Sequence, residues 1–417
     1  MTNYCFMGKA TPTVQKRINR SLIFHYILEH SPCHRAMIAK DLRLSAPAVS
    51  RAVESLLKRK DIIETQKTQL KNGKRAAQLA FNAVKGFVLG IDLLRSPMQM
   101  IIADLAGHIV CRKSGFSMDR ETDITNDLKS EIEQIINVFL ASYNDVPVNS
   151  ASIKVISIGI PATINKETGV ISGTQRYDYM LGHNYAEMLS REFHIPVIME
   201  NVTNLAATAE RRRGRSRGKL HSVFFEISEG VGLGIFINGQ LFTGVSGAAG
   251  EIGYSPISRE NLHIEGKNRL GFLEQVISMH GIAEKAVEVG VTKRKEKSEE
   301  AVAAVFSLAK KGDPQAYNII SSILENLILV CTHITLLLNP EQIIIGGTLA
   351  GVPYLDELLL TPLRDKLYNL IPFPCPEIEL SALGEDSGLI GAVQAGIEYL
   401  IVSAYPYRMD ESSSAAS

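Results

Sequence analysis

Residues 228–254 read SEGVGLGIFINGQLFTGVSGAAGEIGY, and this stretch decides the fold. Eight glycines, from Gly230 to Gly253, alternate with the short apolar runs Val231, Leu233 and Ile235–Ile237. Such spacing predicts a strand, a tight turn, a second strand and a turn-rich loop. Asn238-Gly239 between two β-prone runs is a strong hairpin signal. Glycine suits positions where φ must be positive or where the backbone must approach something bound. The loop ends in one carboxylate, Glu251, among small residues, an arrangement suited to gripping a polyhydroxylated ligand. A hairpin with a flexible loop and a solvated glutamate fits the same spacing.

Length and composition frame that core. A chain of 417 residues predicts two or three folding units, and 45% hydrophobic with 21% charged residues is ordinary for a globular protein. The five cysteines (Cys5, Cys33, Cys111, Cys331, Cys375) form no CxxC pair, so neither a disulfide framework nor a zinc ribbon is indicated. No signal-peptide core is evident near Met1. The apolar run 317–338 contains Asn318, Glu325, Asn326 and His333, which predicts a buried helix and no membrane span. A cytoplasmic location is expected. Zero net charge hides an asymmetry: residues 1–86 hold sixteen Lys and Arg against five Asp and Glu. A basic head on an acidic body points to a polyanionic partner.

In that head, helical spacing predicts Val14–Glu29 with Ile18, Leu22, Ile23, Tyr26 and Ile27 inward. A short helix follows at about Arg35–Asp41, turning Met37, Ile38 and Leu42 inward. Arg43-Leu44 is the turn, and Ser45 caps a third helix with Pro47 in its first turn. Val49, Val53, Leu56 and Leu57 form its inner stripe. Ser45, Ala46, Pro47, Ala48, Ser50 and Arg51 are left to meet a major groove, where small side chains permit close approach to base edges. Residues 62–81 read as two strands joined at 71–75, so that Lys74 and Arg75 reach phosphates or the minor groove as a wing. A small helical domain with a solvated charged loop is the plainer alternative.

From Phe87 onward strands and helices alternate, which indicates an α/β architecture. The expected strands are 87–92, 99–104, 153–160, 196–199 and 342–345. The expected helices are 121–143, 185–193, 205–213, 315–338 and 387–403. No internal repeat is evident. The basic run Arg211–Lys219 reads as an exposed loop at a helix C-terminus, with a second nucleic-acid patch as the alternative.

Two segments carry a family resemblance. GVGLGIFINGQLFTGVSGAAGEIGY resembles the ROK signature GxGGGIxxxGxLxxGxxGxAGEIGH (repressors, open reading frames, kinases), with Leu233, Glu229 and Tyr254 as departures. CHRAMIAKDLRLSAPAVSRAVESLLKRKDIIE, from Cys33, resembles the winged helix of ROK repressors. The resemblance implies an N-terminal winged helix-turn-helix (1–82) before a two-lobed, actin-like ATPase-type sugar-kinase domain (87–408). Its smaller lobe would be 87–203 plus 387–403 and its larger lobe 204–386, with 409–417 a disordered tail.

Three departures bear on chemistry. ROK kinases resemble one another at DxGGT, where this chain has Asp92-Leu93-Leu94-Arg95-Ser96. The kinase base position holds Val202, in Glu200-Asn201-Val202, so no catalytic residue is assigned. The zinc loop lacks cysteines, Tyr254 replaces its histidine, and His263 with Glu265 make a weak metal pair, so no metal is expected. Asn201, Glu251 and Glu274 match family positions that resemble ligands to sugar hydroxyls, and Gly247 and Tyr254 are expected to line the same ligand site. Gln175, Arg176 and Asp178 either read an acidic or amino sugar or belong to a solvated loop. The expectation is a sugar-responsive regulator, most simply a repressor of carbohydrate uptake or catabolism genes. It would bind a double-stranded operator as a homodimer or homotetramer, without cofactor or membrane. A sugar kinase with a DNA-binding head, and a regulator whose signal is a partner protein, are the alternatives.

Overall fold

The computed structural model describes residues 12–69, 75–117, 124–174, 177–263, 271–293 and 297–405. The chain opens with α1 (Pro12–His30), α2 (Arg35–Asp41) and α3 (Ala46–Lys58), followed by the antiparallel strands β1 (Ile62–Gln69) and β2 (Arg75–Phe81). Ile23, Ile27, Ile38, Val49, Val53 and Leu56 close a core between the helices, and Ile62 and Leu79 of the strands complete it. Arg43 has φ 52°, which turns the chain sharply between α2 and α3.

Details of the head differ from the helical-stripe reading. Met37 is 46% exposed, because α2 is short and only Ile38 is buried on it. Ile18 and Leu22 are half-buried, while Phe24, outside the expected stripe, is buried by Tyr405 from the far end of the chain. Ser45 holds the N-cap position of α3 but makes no side-chain cap bond. The hairpin tip with Lys74 lies outside the described residues, as does the side chain of Arg75, which begins β2.

Two five-stranded sheets build the rest. The first contains β3 (Phe87–Asp92), β4 (Gln99–Asp104), β5 (Ile109–Ser114), β6 (Ile153–Ile160) and β9 (Val197–Asn201). Helix α4 (Thr125–Ser142) connects β5 to β6. The short pair β7 (Thr163–Ile164) and β8 (Ile171–Gly173) and helix α5 (Tyr185–Phe193) lead to β9, and α6 (Val202–Arg213) leaves it. The second sheet contains β10 (Ser222–Ile227), β11 (Val231–Ile237), β12 (Gln240–Phe242), β13 (Gln342–Gly346) and β14 (Glu377–Leu380). Helices α7 (Glu274–Ile277), α8 (Met279–Glu288), α9 (Ser298–Lys310) and α10 (Pro314–Leu338) precede β13. Helix α11 (Thr361–Leu370) precedes β14, and α12 (Ser387–Ala404) leaves it.

The sheet orders are β5-β4-β3-β6-β9 and β12-β11-β10-β13-β14. In both, the first three strands run antiparallel and the last two add in parallel. The chain therefore repeats one β-β-β-α-β-α-β-α plan, although no sequence repeat announces it. Side-chain alternation explains the layers. In β3, Phe87, Leu89 and Ile91 face α4 and α5, whereas Val88 faces Leu389, Val393 and Ile397 of α12. In the second sheet one face carries α7–α11, and Phe224, Phe236 and Ile344 on the other meet Ala206 and Ala207 of α6. Strands covered on both faces read as continuous apolar runs, as 87–92 does.

The equivalent helices α6 and α12 pack against each other between the sheets. A Cβ built on Gly391 would lie 1.9 Å from the Leu205 carbonyl oxygen, so the two backbones are in direct contact there. The arginines at the end of α6 are not a solvated loop. Arg211 donates to the carbonyls of Gly239 (3.2 Å) and Lys219 (2.8 Å), Arg212 pairs with Glu398, and Arg213 donates to the Gly107 carbonyl (3.0 Å). Arg211–Arg213 thus tie α6 to both sheets and to α12, while Arg215 and Arg217 beyond the helix are exposed as expected. Helix α10 is long and apolar enough to cross a membrane, yet Ile319, Ile323, Leu327, Val330 and Ile334 are buried in the second core. The residues beyond Tyr405, including the expected tail 409–417, lie outside those described.

The Gly391 contact fixes the sign of a substitution. Glycine to alanine inside a helix ordinarily gains about 1 kcal/mol, but here the methyl has no room. Gly391→Ala is expected to destabilise by about 1–3 kcal/mol, lowering the calorimetric unfolding midpoint. An unchanged or raised midpoint contradicts the close packing.

Candidate functional site

A cleft of about 350 Å³ opens between the two sheets. One wall comes from Ala162, Thr163, Gly173, Thr174 and Tyr177. The start of α6 supplies Asn201–Asn204, and the opposite wall comes from Glu226, Gly230–Leu233, Gly247–Glu251, Tyr254 and Glu274. All five residues expected to bind ligand (Asn201, Gly247, Glu251, Tyr254, Glu274) line it. Helix α6 begins at Val202, three residues earlier than the apolar spacing indicates, because Asn201 acts as its N-cap: its Oδ1 accepts from the Thr203 N–H at 2.8 Å. Its Nδ2 donates to the Ala162 carbonyl at 3.2 Å, so one N–H and one lone pair remain to face the cleft. Glu200 is equally engaged, accepting from the Asn201 N–H and Asn204 Nδ2 and pairing with Lys166. It is held as a support for the turn.

The glycine-rich loop serves close packing of chain on chain. Asn238 and Gly239 both have positive φ (52° and 69°), completing the tight hairpin. Gly247 has φ 81°, and a Cβ there would lie 2.3 Å from the Ile164 carbonyl oxygen; at Gly250 it would meet the Leu233 carbonyl at 2.0 Å. These glycines let the loop seat against β7 and β11 and so carry Glu251 into the cleft. Burial, with the charge of Glu274 adding to it, pushes the Glu251 carboxyl up to about 7. Glu274, first residue of α7, is buried, whereas Tyr254 is partly exposed at the rim.

Glu226 lines the cleft and is a carboxylate that the motif reading did not find, whereas Asp92 is the residue already aligned with the first position of DxGGT. Asp92 and Glu226 stand at corresponding ends of the first strand of each sheet. Burial pushes Asp92 up to about 6, against the Leu94 N–H that donates to it at 2.9 Å. Burial pushes Glu226 up to about 7; the Ser228 hydroxyl opposes the shift and the charge of Asp92 adds to it. A glutamate inside the apolar run Ser222–Ile227 was the available signal. Arg95, in the β3–β4 turn, pairs with Glu385 and Asp386, and Asp386 also binds Arg112 at 2.7 Å. A nucleotide does not fit this lining. Leu94 and a salt-bridged Arg95 stand where small residues would have to expose main-chain amides to its phosphates.

Other expected residues lie elsewhere. Gln175, Arg176 and Glu265 fall outside the described residues. Asp178 and His263 are exposed and do not line the cleft. Among the described residues no group of three His, Cys, Asp or Glu side chains is arranged to hold a metal. On the head, Ser45, Ala46, Pro47 and Arg51 are exposed and Ala48 and Ser50 half-buried along the outer face of α3.

Two sheets of matching topology around a cleft define an α/β protein with the actin-like sugar-kinase fold. The chain belongs to the ROK family, whose model matches residues 88–396. It is similar to the xylose repressor of Caldicellulosiruptor bescii, at 25% identity over 91% of this chain and 96% of the relative. It is also similar to a glucokinase of Halalkalibacterium halodurans, at 29% identity over 73% of this chain and 92% of that enzyme. The crystal structure of a ROK family transcriptional regulator, a homologue of the Escherichia coli MLC protein, superposes with TM-score 0.75. It covers 94% of this chain and 99% of its own, at 22% identity.

The buried Glu226 gives a pH prediction with a definite sign. Its carboxyl titrates near 7 in the fold against 4.5 ordinarily, so the native state holds its proton to higher pH than the unfolded chain. Stability from this group is therefore intact below about 4.5, falls between 4.5 and 7, and stays reduced above. Glu226→Gln removes the penalty and is expected to stabilise by roughly 3 kcal/mol at pH 8 and by about 1 kcal/mol or less at pH 5. Equal effects in denaturation curves at the two pH values would count against a buried, proton-holding carboxyl.

Proposed function

We propose that this protein is a sugar-responsive transcriptional repressor that binds double-stranded DNA through its head and performs no phosphoryl transfer. The observation that carries the reading is a sugar-kinase cleft whose base position is Val202, joined to a head with an exposed, small-residue helix face. Valine cannot take a proton from a sugar hydroxyl. The similarity to a xylose repressor over nearly the whole chain supports the same reading. The glucokinase similarity covers 73% of this chain and favours the alternative, a kinase with a DNA-binding appendage. The crowded phosphate end and Val202 weigh against that alternative.

In this reading residues 1–82 form a winged helix-turn-helix, with α3 as recognition helix and β1–β2 as wing. Residues 87–408 form the two-lobed body, with lobes 87–203 plus 387–403 and 204–386. Ser45, Ala46, Pro47, Ala48, Ser50 and Arg51 meet bases and adjoining phosphates in the major groove, and Lys74 and Arg75 reach the backbone or minor groove. Two copies, reading half-sites about one helical turn apart, bind a two-fold operator. Asn201, Glu251 and Glu274 hydrogen-bond the hydroxyls of a sugar or sugar derivative, Gly247 keeps the loop close, and Tyr254 covers the rim. Neither metal nor nucleotide is required. A DNA target agrees with a cytoplasmic location.

Two measurements test the assignment. Arg51→Ala is expected to weaken specific duplex binding by roughly 1–3 kcal/mol, read by fluorescence anisotropy against DNA from upstream of the gene itself; unaltered affinity removes Arg51 from base contact. Incubation with ATP, magnesium and D-xylose, D-glucose or N-acetyl-D-glucosamine is expected to yield no sugar phosphate. Turnover at ordinary enzyme rates, on the order of 1 per second or more, would make the kinase reading the correct one.

A further inference from the structure

Helix α12 runs from the cleft to the interior of the head. At its start, a Cβ on Gly388 would lie 2.7 Å from Val202 Cγ2 and 2.9 Å from Asp92 Oδ2. Val202 follows the ligand-facing Asn201, so this end of α12 has no clearance from the site. Midway, Gly391 touches the Leu205 backbone, and Gly396 sits against Val88 and Val155 of the first sheet. Ile401 packs on both the α12 core and the head core. One turn further on, Tyr405 is 3% exposed within the head.

The surroundings of Tyr405 are not those of an ordinary core aromatic. Its ring stacks on Phe24 of α1, with centroids 4.0 Å apart and planes 14° from parallel. The Arg59 guanidinium lies 5.4 Å from the ring centroid. Its hydroxyl donates to Asp61, a carboxylate only 4% exposed that also receives Arg59 Nε at 2.8 Å and the Lys85 ammonium. Burial works against ionisation of Asp61, but hydrogen bonds from Lys85, Tyr405 and Arg59 outweigh it and hold its carboxyl below the ordinary carboxylate range. The Asp61 N–H donates to the Leu56 carbonyl at 3.0 Å, so this carboxylate is fixed to the C-terminal turn of α3.

We propose that Tyr405 is the positioning residue of the regulator: it ties α12 to the end of α3, so that the state of the cleft sets the orientation of the DNA-reading helix. Of the three donors to Asp61, only the Tyr405 hydroxyl travels with α12. Arg59 belongs to the head and Lys85 to the joint between head and body. A displacement of α12 relative to α3 stretches or breaks a charge-assisted hydrogen bond in a water-poor site, where partial satisfaction is costly. Such a bond favours two discrete arrangements over a gradual one. The inference rests on the repressor reading, since it names how that cleft addresses that head.

The test uses the full-length protein and compares wild type, Tyr405→Phe, Asp61→Asn and the head-core control Ile38→Val. From D-xylose, D-glucose and N-acetyl-D-glucosamine, the sugar that most raises the melting midpoint of wild type is chosen. Duplex affinity is then measured by anisotropy with and without that sugar, and the ratio is the coupling factor. Tyr405→Phe keeps the stacked ring and removes only the hydroxyl. It is expected to bind the sugar within twofold of wild type while its coupling factor falls at least fivefold towards one. Asp61→Asn reads the same bond from the other side and is expected to do likewise, and the double variant no worse than either single one. Ile38→Val trims the head core without touching the joint and retains the wild-type factor. A wild-type factor in Tyr405→Phe and Asp61→Asn, both still binding sugar, overturns the proposal and leaves the repressor reading standing. A wild-type protein that binds duplex equally well with and without each sugar removes the repressor reading itself, and the joint with it.

Discussion

The structure depends on the backbone contact between α6 and α12. Each of the two sheets needs one helix on its inner face to bury Val88 and Val155 on one side and Phe224 and Ile344 on the other. The chain meets both needs with equivalent helices, then presses them together where Gly391 meets Leu205. Interiors at native packing density transmit displacement because there is no void to absorb it. With Gly388 against Val202 and Gly396 against Val88, α12 has little freedom to move without its neighbours. The cleft, both sheets and the head are thus mechanically adjacent, although they are far apart along the chain.

That adjacency gives the carboxylates of the cleft a meaning beyond binding. Glu226 and Asp92 stand on the first strands of the two sheets, and both hold protons more tightly than solvated carboxyls. Where a phosphotransferase would gather positive charge and main-chain amides around a nucleotide, this chain has Leu94 and an Arg95 engaged in ion pairs. On the proposed reading the cleft has kept the hydrogen-bonding side of the ancestral site, through Asn201, Glu251 and Glu274, and lost the phosphate side. A binding pocket without chemistry is what a sensor requires.

Much of this was legible in the sequence, for identifiable reasons. The hairpin at Asn238-Gly239, the buried strand Phe87–Asp92 and the helices of the head follow from local rules: a positive-φ turn, a doubly covered strand, a periodic stripe. The five residues expected to bind ligand came from the family resemblance, and all five line the cleft. What escaped depends on contacts distant in sequence. Phe24 is buried because Tyr405 lies on it, and the basic run Arg211–Arg213 is spent on carbonyls and on Glu398, partners that no local pattern names. Met37 is exposed because a two-turn helix buries a single residue, fewer than its spacing allows. The repeated sheet plan escaped because topology repeats here while residues do not. The glycines of the signature stretch looked like room left for a ligand, and Gly247, Gly250 and Gly253 make room for carbonyls of the same chain.

The account's central claim is that one cleft binds a sugar and, through packed helices, alters what the head does with DNA. Linkage requires the effect to run both ways by the same factor. The most direct measurement is calorimetric titration of the wild-type protein with its preferred sugar, alone and again with saturating operator duplex. The account predicts dissociation constants that differ by about fivefold or more, equal to the factor by which the sugar changes duplex affinity. Identical sugar affinity with and without DNA would contradict it.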